Sequence, residues 1–339
     1  MNRIRAWAAM AAGERLQRFD YDPGPLGQEE VEVAVDYCGI CHSDLSMIDN
    51  DWRFAAFPLV PGHEIVGRVV GLGANTKGLT LGQTVGIGWT ATSCMHCAPC
   101  LGGDQHLCSQ AHGVIVNHHG GFADRVRAHW AWTIPLPAGL KPENAGPLFC
   151  GGITVFAPLL EHGIVPTSRV GVVGIGGLGH MALRFARAWG CEVTAFTSSA
   201  AKYDEARALG AHRVVSSRDA GQIAALAGSL DLVIVTANVP LDWGAILATL
   251  GPKGRLHFVG AVLEPIALQA FSLIGGQKSV SGSPTGSPVA IARMLEFAAR
   301  HGIEPQVERF AMSRVNEALD HLRAGKARYR IVLDGDFPS

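Results

Sequence analysis

The stretch Arg169-Val170-Gly171-Val172-Val173-Gly174-Ile175-Gly176-Gly177-Leu178-Gly179 decides how the second half of this chain folds. Val170, Val172 and Val173 read as a short buried strand, and the glycines that follow are spaced G-x-G-x-x-G. Gly174 permits a tight turn, Gly176 lets the main chain approach a pyrophosphate, and Gly179 lets a helix pack closely on the strand. Gly177 and Leu178 lead into that helix, whose first unpaired N–H groups would face the phosphates. A glycine-rich turn alone satisfies the spacing, so the motif is weak in isolation. Set between a strand and a helix, it predicts a dinucleotide site. The helix has its own signature: Leu178, Met181, Ala182, Phe185, Ala186 and Trp189 recur at three- and four-residue steps, while Arg184 and Arg187 point elsewhere.

Downstream, apolar runs at Glu192–Thr197, Arg213–Ser216, Asp231–Thr236 and Arg255–Gly260 alternate with helical stretches. Strands alternating with helices of about ten to fifteen residues predict an α/β chain with a doubly wound parallel sheet. Upstream of Gly152 the texture differs. Val31–Val35, Val66–Val70 and Thr84–Ile87 read as strands separated by glycine-rich turns, which predicts a β-rich domain. An amphipathic helix past Pro288 and a short strand, Tyr329–Leu333, are expected to return to that first domain. The expected division is therefore 1–150 completed by 288–339, and 151–287.

Bulk properties exclude several classes. With 339 residues, two domains are comfortable, and 48% hydrophobic against 17% charged residues argues for packed cores rather than disorder. A net charge of −1 leaves no electrostatic footprint for nucleic acid or an anionic membrane surface. No apolar run reaches the roughly 18–20 residues of a membrane span. Arg3 and Arg5 followed by the alanine-rich stretch 6–12 imitate a signal peptide, but the stretch is short and Glu14, Arg15 and Arg18 follow it. A cytoplasmic protein is expected.

The tip of the second strand bears on which dinucleotide is used. An NAD site carries Asp or Glu there to accept the ribose hydroxyls. This chain has Thr197-Ser198-Ser199-Ala-Ala-Lys202 instead. Hydroxyls and a lysine can receive a 2′-phosphate with no carboxylate to repel it, so NADP(H) is expected over NAD. The same residues also suit an ordinary turn before a helix.

Eight cysteines could serve as bridges, ligands or core thiols. Cys94, Cys97, Cys100 and Cys108 lie within fifteen residues, spacing that suits a closed four-thiolate zinc site; an iron–sulfur cluster has compatible spacing. His96 inside this loop reads as a surface residue. Cys191 reads as packing.

Cys38-Gly-Ile-Cys41-His42-Ser43-Asp44-Leu, Pro61-Gly62-His63-Glu64 and Leu148-Phe149-Cys150-Gly-Gly-Ile-Thr154 resemble segments of the medium-chain zinc alcohol dehydrogenases. The likeness is to the cinnamyl alcohol dehydrogenase-like branch, whose near members include bacterial NADPH-dependent broad-specificity aldehyde reductases. It covers essentially the whole chain, including the four-cysteine loop, the glycine motif and the ending Arg328-Tyr-Arg330-Ile-Val. The resemblance implies a GroES-like catalytic domain beside a Rossmann domain, and a homodimer or homotetramer. It implies two zinc ions per chain: a catalytic ion on Cys41, His63 and Cys150, with Glu64 as the neighbouring carboxylate, and a structural ion on the four-cysteine loop. It also implies proton transfer at Ser43, nicotinamide contacts near Thr154, Val262 and Ser283, and Arg330 reaching the pyrophosphate. The expected activity is hydride transfer between NADP(H) and primary alcohols or aldehydes, chiefly reduction of medium-chain and aromatic aldehydes, with Trp52 and Trp89 as candidate pocket walls. One departure stands out: Ser46 occupies a position where many relatives carry a relay histidine, so the onward proton route is open and His42 is a candidate. An NAD-linked polyol or secondary-alcohol dehydrogenase, or a non-catalytic nucleotide-binding zinc-ribbon protein, are the competing readings.

Overall fold

The computed structural model describes residues 3–337. Its contacts divide the chain into one unit that runs to Ile153 and resumes at Thr285, and a second unit, Thr154–Pro284.

The second unit is built on six parallel strands. From one edge they are Arg213–Ser216, Glu192–Thr197, Arg169–Val173, Leu230–Val235, Leu250–Phe258 and Ser279–Gly282. Numbered in chain order they run 3-2-1-4-5-6, the doubly wound arrangement whose order reverses beside the Arg169–Val173 strand. The central strands are continuous apolar runs because helices cover both faces of such a sheet. Val170, Val172, Leu232, Val233, Ile234 and Val235 are accordingly buried completely. Arg169–Val173 ends at Gly174, whose φ of 90° lies in the left-handed region, and helix Gly179–Trp189 begins after the turn. Met181, Ala182, Phe185 and Ala186 face the sheet, and the helix stops at Gly190 in the left-handed conformation.

The first unit centres on a mainly antiparallel sheet in the order Val307–Ala311, Arg330–Asp334, Glu30–Ile40, Glu64–Leu72, Thr84–Ile87 and Ile134–Pro135. Arg125–His129 also pairs with Glu30–Ile40. Alternate residues Val31, Val33, Ile65, Val69, Val85, Ile87, Ile331 and Leu333 form its core.

Several strands are longer than their sequence pattern suggested. Glu30–Ile40 extends well past the expected Val31–Val35 because register shifts at Glu32/Val33 and Val35/Tyr37 break the two-residue alternation. Leu250–Phe258 begins five residues before the expected Arg255, hidden by Gly251, Pro252 and Gly254. The alanine-rich start is a strand, Ile4–Ala8, paired with Gln17–Tyr21, and Ala6 and Ala8 are fully buried in a small core of their own. No helix among the described residues is long and apolar enough to cross a membrane.

At Gly179 a Cβ would lie 1.9 Å from the Gly174 carbonyl oxygen, whereas one at Gly176 would meet nothing within 4 Å. Gly179→Ala should therefore destabilise the parallel-sheet unit by roughly 1–3 kcal/mol. Gly176→Ala should leave thermal unfolding nearly unchanged yet weaken dinucleotide binding, which unfolding and binding measurements on the two variants check.

Candidate metal centres and nucleotide cleft

Sheet register brings the first cluster together. Strand Glu30–Ile40 delivers Cys41 at its end; Gly39 pairs with Glu64 on one side, and Ile331 pairs with Ile40 on the other. Cys41, His63, Glu64 and Arg330 are thereby placed at one end of neighbouring strands. Cys150 comes from a buried turn, Gly146–Phe149, packed against Glu64–Leu72 and Thr84–Ile87.

Cys41 is also the N-cap of helix His42–Asp49, and the acid at the third helical position, Asp44, reaches back to its N–H at 2.8 Å. The same fully buried carboxylate accepts from the Gly62 N–H at 2.9 Å and holds His63 Nδ1 at 3.0 Å. Gly62 must be glycine: its φ is 98°, and a Cβ would press on Phe122 and Cys38. His63 Nε2 lies 3.2 Å from Cys150 Sγ, and the Nδ1 bond to Asp44 leaves Nε2 as the atom that would face a cation once its proton is displaced. Cys150 Sγ stands 4.0 Å from Cys41 Sγ.

The thiols are electrostatically uneven. The hydrogen bond from Cys150, assisted by the charges of Arg330 and His63, holds the Cys41 thiol well below its ordinary pKa. Donating that bond, together with burial and the neighbouring Cys41 thiolate, holds Cys150 well above. For His63, burial opposes the charged ring, but Asp44 overcomes it and raises the pKa. A cation among these donors would let both thiols ionise together. Glu64 is fully buried and ion-paired with Arg330; burial raises it to about 7 against the pull of that guanidinium. Glu64 Oε2 and Arg330 Nε have no hydrogen-bond partner among the described residues.

Cys94, Cys97, Cys100 and Cys108 form the second cluster, with Cys94 and Cys100 Sγ 3.9 Å apart and Cys97 and Cys108 Sγ 3.7 Å apart. The N–H groups of Cys97 and Gln110 donate to the Cys94 and Cys108 sulfurs. A tetrahedral ion with metal–sulfur bonds of about 2.3 Å sets sulfur–sulfur edges near 3.8 Å. Both clusters fit it. His96 is exposed and Cys38 is buried outside both sets.

Around the first cluster, Ser43 Oγ lies 3.7 Å from Cys41 Sγ, and His42 stands exposed beside it. Trp89 meets His63 edge-on at 5.1 Å between ring centroids, and Trp52 meets Trp89 at 6.1 Å. Both tryptophans also pack on the core, so wall and core roles coincide.

In the second unit, Gly174, Thr197, Ser198, Ser199 and Lys202 line one cleft of ≈ 400 Å³ at the carboxyl end of the sheet. Lys202 donates to the Ile175 carbonyl at 2.8 Å. Asp204, fully exposed, pairs with Arg207 instead. Gly176, Gly177, Leu178, Thr154, Val262 and Ser283 are not among the residues that line this cleft. Thr154 is buried in helix Gly151–Glu161, and Ser283 Oγ is 2.9 Å from His257 Nε2. Arg330, expected to reach a pyrophosphate, is committed to Glu64. Asp44 was not singled out by sequence reasoning, although an acid three residues after a ligand that caps a helix was a usable signal.

Residues 27–138 match the alcohol dehydrogenase GroES-like domain, and residues 177–300 match the zinc-binding dehydrogenase domain. Aldehyde reductase AdhA of Synechocystis is 54% identical over 97% of this chain and 98% of its own length. A cinnamyl alcohol dehydrogenase structure from Sorghum bicolor superposes with a TM-score of 0.94 at 37% identity, covering 98% of each chain. The chain belongs to the zinc-binding alcohol dehydrogenases. A Helicobacter pylori member of the family, solved with NADP(H), superposes with a TM-score of 0.90 at 29% identity over 98% of both chains. Family membership makes this chain an oxidoreductase with a GroES-like domain and a Rossmann-type parallel sheet.

Asp44→Asn should weaken metal binding at the Cys41–His63–Cys150 cluster by roughly 10- to 100-fold, measured by chelator competition. Cys97→Ser should lower the thermal midpoint while the Cys41 cluster keeps its metal, because a closed four-thiolate site contributes to folding directly.

Proposed function

We propose that this chain is a zinc-dependent, NADP(H)-using alcohol dehydrogenase that acts mainly as an aldehyde reductase on medium-chain and aromatic aldehydes. The observation that carries the metal half of this reading is the donor set itself: Cys41, His63 and Cys150 with one neutral-capable carboxylate beside them. Three protein ligands leave a tetrahedral ion one position for substrate, as a catalytic zinc requires. The four-cysteine cluster would hold a second, structural zinc. Support for the coenzyme comes from the cleft lined by Ser198, Ser199 and Lys202, which includes no carboxylate.

The overall reaction is RCHO + NADPH + H⁺ → RCH₂OH + NADP⁺. When bound, the metal supplies Lewis-acid stabilisation of charge on the carbonyl oxygen and the nicotinamide supplies hydride to the carbonyl carbon. The chain's own residues do the rest. Cys41, His63 and Cys150 hold the ion, and Asp44 fixes the His63 tautomer. Ser43, beside Cys41, gives its hydroxyl proton to the substrate oxygen and takes another from the solvent side, where exposed His42 stands next to it. Ser46, half-buried on the same helix, has no titratable ring to take part. Trp52 and Trp89 exclude water and offer flat apolar walls to an aldehyde. Arg330 balances Glu64 as the charge in the cluster changes. We further assign the chain to the cytoplasm, where its eight free cysteines stay reduced. A homodimer or homotetramer is the assembly we assign, paired along the sheet-edge strand Ser279–Gly282.

Zinc-loaded protein should reduce benzaldehyde and hexanal with NADPH much faster than with NADH. Equal or better rates with NADH would overturn the coenzyme assignment. Cys41→Ser should abolish turnover, remove one of two zinc ions by metal analysis, and leave the circular dichroism spectrum in place.

A further inference from the structure

The nucleotide cleft holds a second cation that the reading above gives no task. The edge strand Arg213–Ser216 pairs in parallel with Glu192–Thr197, with Ser216 opposite Thr197. That register carries the next residues, Ser217 and Arg218, alongside Ser198 and Ser199, and all four line the same cleft as Lys202. Its ≈ 400 Å³ falls within the roughly 300–1,000 Å³ of small-ligand sites. The apolar segment from Val239 to Leu241 also lines it.

The charges there are arranged in one direction. Asp219 follows Arg218 but turns away, accepting from the N–H groups of Gln222 and Gly221 and from Gln222 Nε2 at 2.8–3.1 Å. Those bonds, the Gln222 N–H foremost, hold its carboxyl below the ordinary value. The Lys202 ammonium is engaged with the Ile175 carbonyl. Arg218 differs from both: Ser216 Oγ accepts its backbone N–H at 3.2 Å, while its exposed guanidinium has no hydrogen-bond or ion-pair partner among the described residues. A planar, permanently charged fork beside serine hydroxyls, with no competing carboxylate, matches a phosphate group in geometry as well as charge.

We propose that Arg218 is a coenzyme-selecting residue that binds the 2′-phosphate of NADP(H) from the edge-strand side of the cleft, together with Ser198, Ser199 and Lys202. This rests on the NADP(H) assignment above. It adds that selectivity comes from two strand tips: the second strand supplies hydroxyls and a partly committed lysine, and the third supplies the uncommitted charge. Arg218 lies far beyond the position roughly twenty residues after the glycine motif where the ribose-binding residue is ordinarily sought.

The test measures 2′,5′-ADP and 5′-AMP as competitive inhibitors against coenzyme, in the zinc-loaded enzyme and its Arg218→Ala, Arg218→Lys and Lys202→Ala variants. Wild type should bind 2′,5′-ADP more tightly than 5′-AMP. Arg218→Ala should lose roughly ten- to hundredfold in 2′,5′-ADP affinity and raise KM for NADPH similarly, as expected for a charged hydrogen-bonded contact. Its 5′-AMP affinity and KM for NADH should stay at wild-type values, and Arg218→Lys should recover part of the loss. Unchanged 2′,5′-ADP binding in Arg218→Ala, with a loss in Lys202→Ala, would overturn the proposal while leaving the NADP(H) assignment standing. Equal losses for both nucleotides would also overturn it, placing Arg218 on the adenosine. A wild-type enzyme that does not distinguish the two nucleotides would remove the NADP(H) assignment and the proposal together.

Discussion

The buried carboxylate of Asp44 is the constraint on which the metal cluster depends. One side chain, fully removed from solvent, accepts from the Cys41 N–H, the Gly62 N–H and the His63 ring. These three partners come from two separate segments, so the carboxylate fixes the distance between two ligands that the chain itself does not connect. A buried anion is costly unless its oxygens are satisfied. Here the groups that satisfy it are the backbone of one ligand, the residue preceding the second, and the second ligand's own ring. Stability of the anion and geometry of the cluster are the same requirement. The bond to Nδ1 has a chemical consequence as well, since it leaves Nε2 as the free donor.

Around that point the charges stay incomplete without a cation. Two thiols close enough to share a proton cannot both ionise readily, and Cys41 and Cys150 are held in opposite directions for that reason. The buried Glu64–Arg330 pair keeps one unsatisfied atom on each partner. Such a pair is a weak stabilising device. Its place beside the thiols makes sense when the cluster's net charge is set by a bound ion and the reacting group. The nucleotide cleft works on the opposite logic. It is polar and cationic, built from strand tips and the glycine turn, and Asp219 and Asp242, which follow the lining residues Arg218 and Leu241, are each spent on capping a helix.

Local signals read well where chemistry and chain order coincide. The glycine turn, the Gly179–Trp189 helix and the strands Thr84–Ile87, Glu192–Thr197 and Arg213–Ser216 all lie where spacing and periodicity put them. The four-cysteine loop is legible for the same reason, because all its donors sit within one short segment. Elements were missed where side-chain alternation failed. Bulges interrupt Glu30–Ile40, alanines disguise Ile4–Ala8, and glycine and proline mask the start of Leu250–Phe258. Val307–Ala311, a half-buried strand, carries too little apolar pattern to announce itself.

What the sequence by itself determined is therefore whatever a short window can encode: the parallel α/β half, the phosphate-binding turn, the closed thiolate loop, and the absence of an acid at the second strand tip. Cys41, His63 and Cys150 could be nominated from it only through their likeness to a family, since residues spread over 109 positions carry no local spacing rule. Tertiary structure decided their convergence, through the pairing of Gly39 with Glu64 and Ile40 with Ile331 and through the three bonds of Asp44. It alone set Arg330 against Glu64 and brought Arg218 into the cleft that Ser198 and Lys202 line. The physical reason is common to all of these: strand register and the satisfaction of buried charge are properties of segments that meet only after the chain has folded.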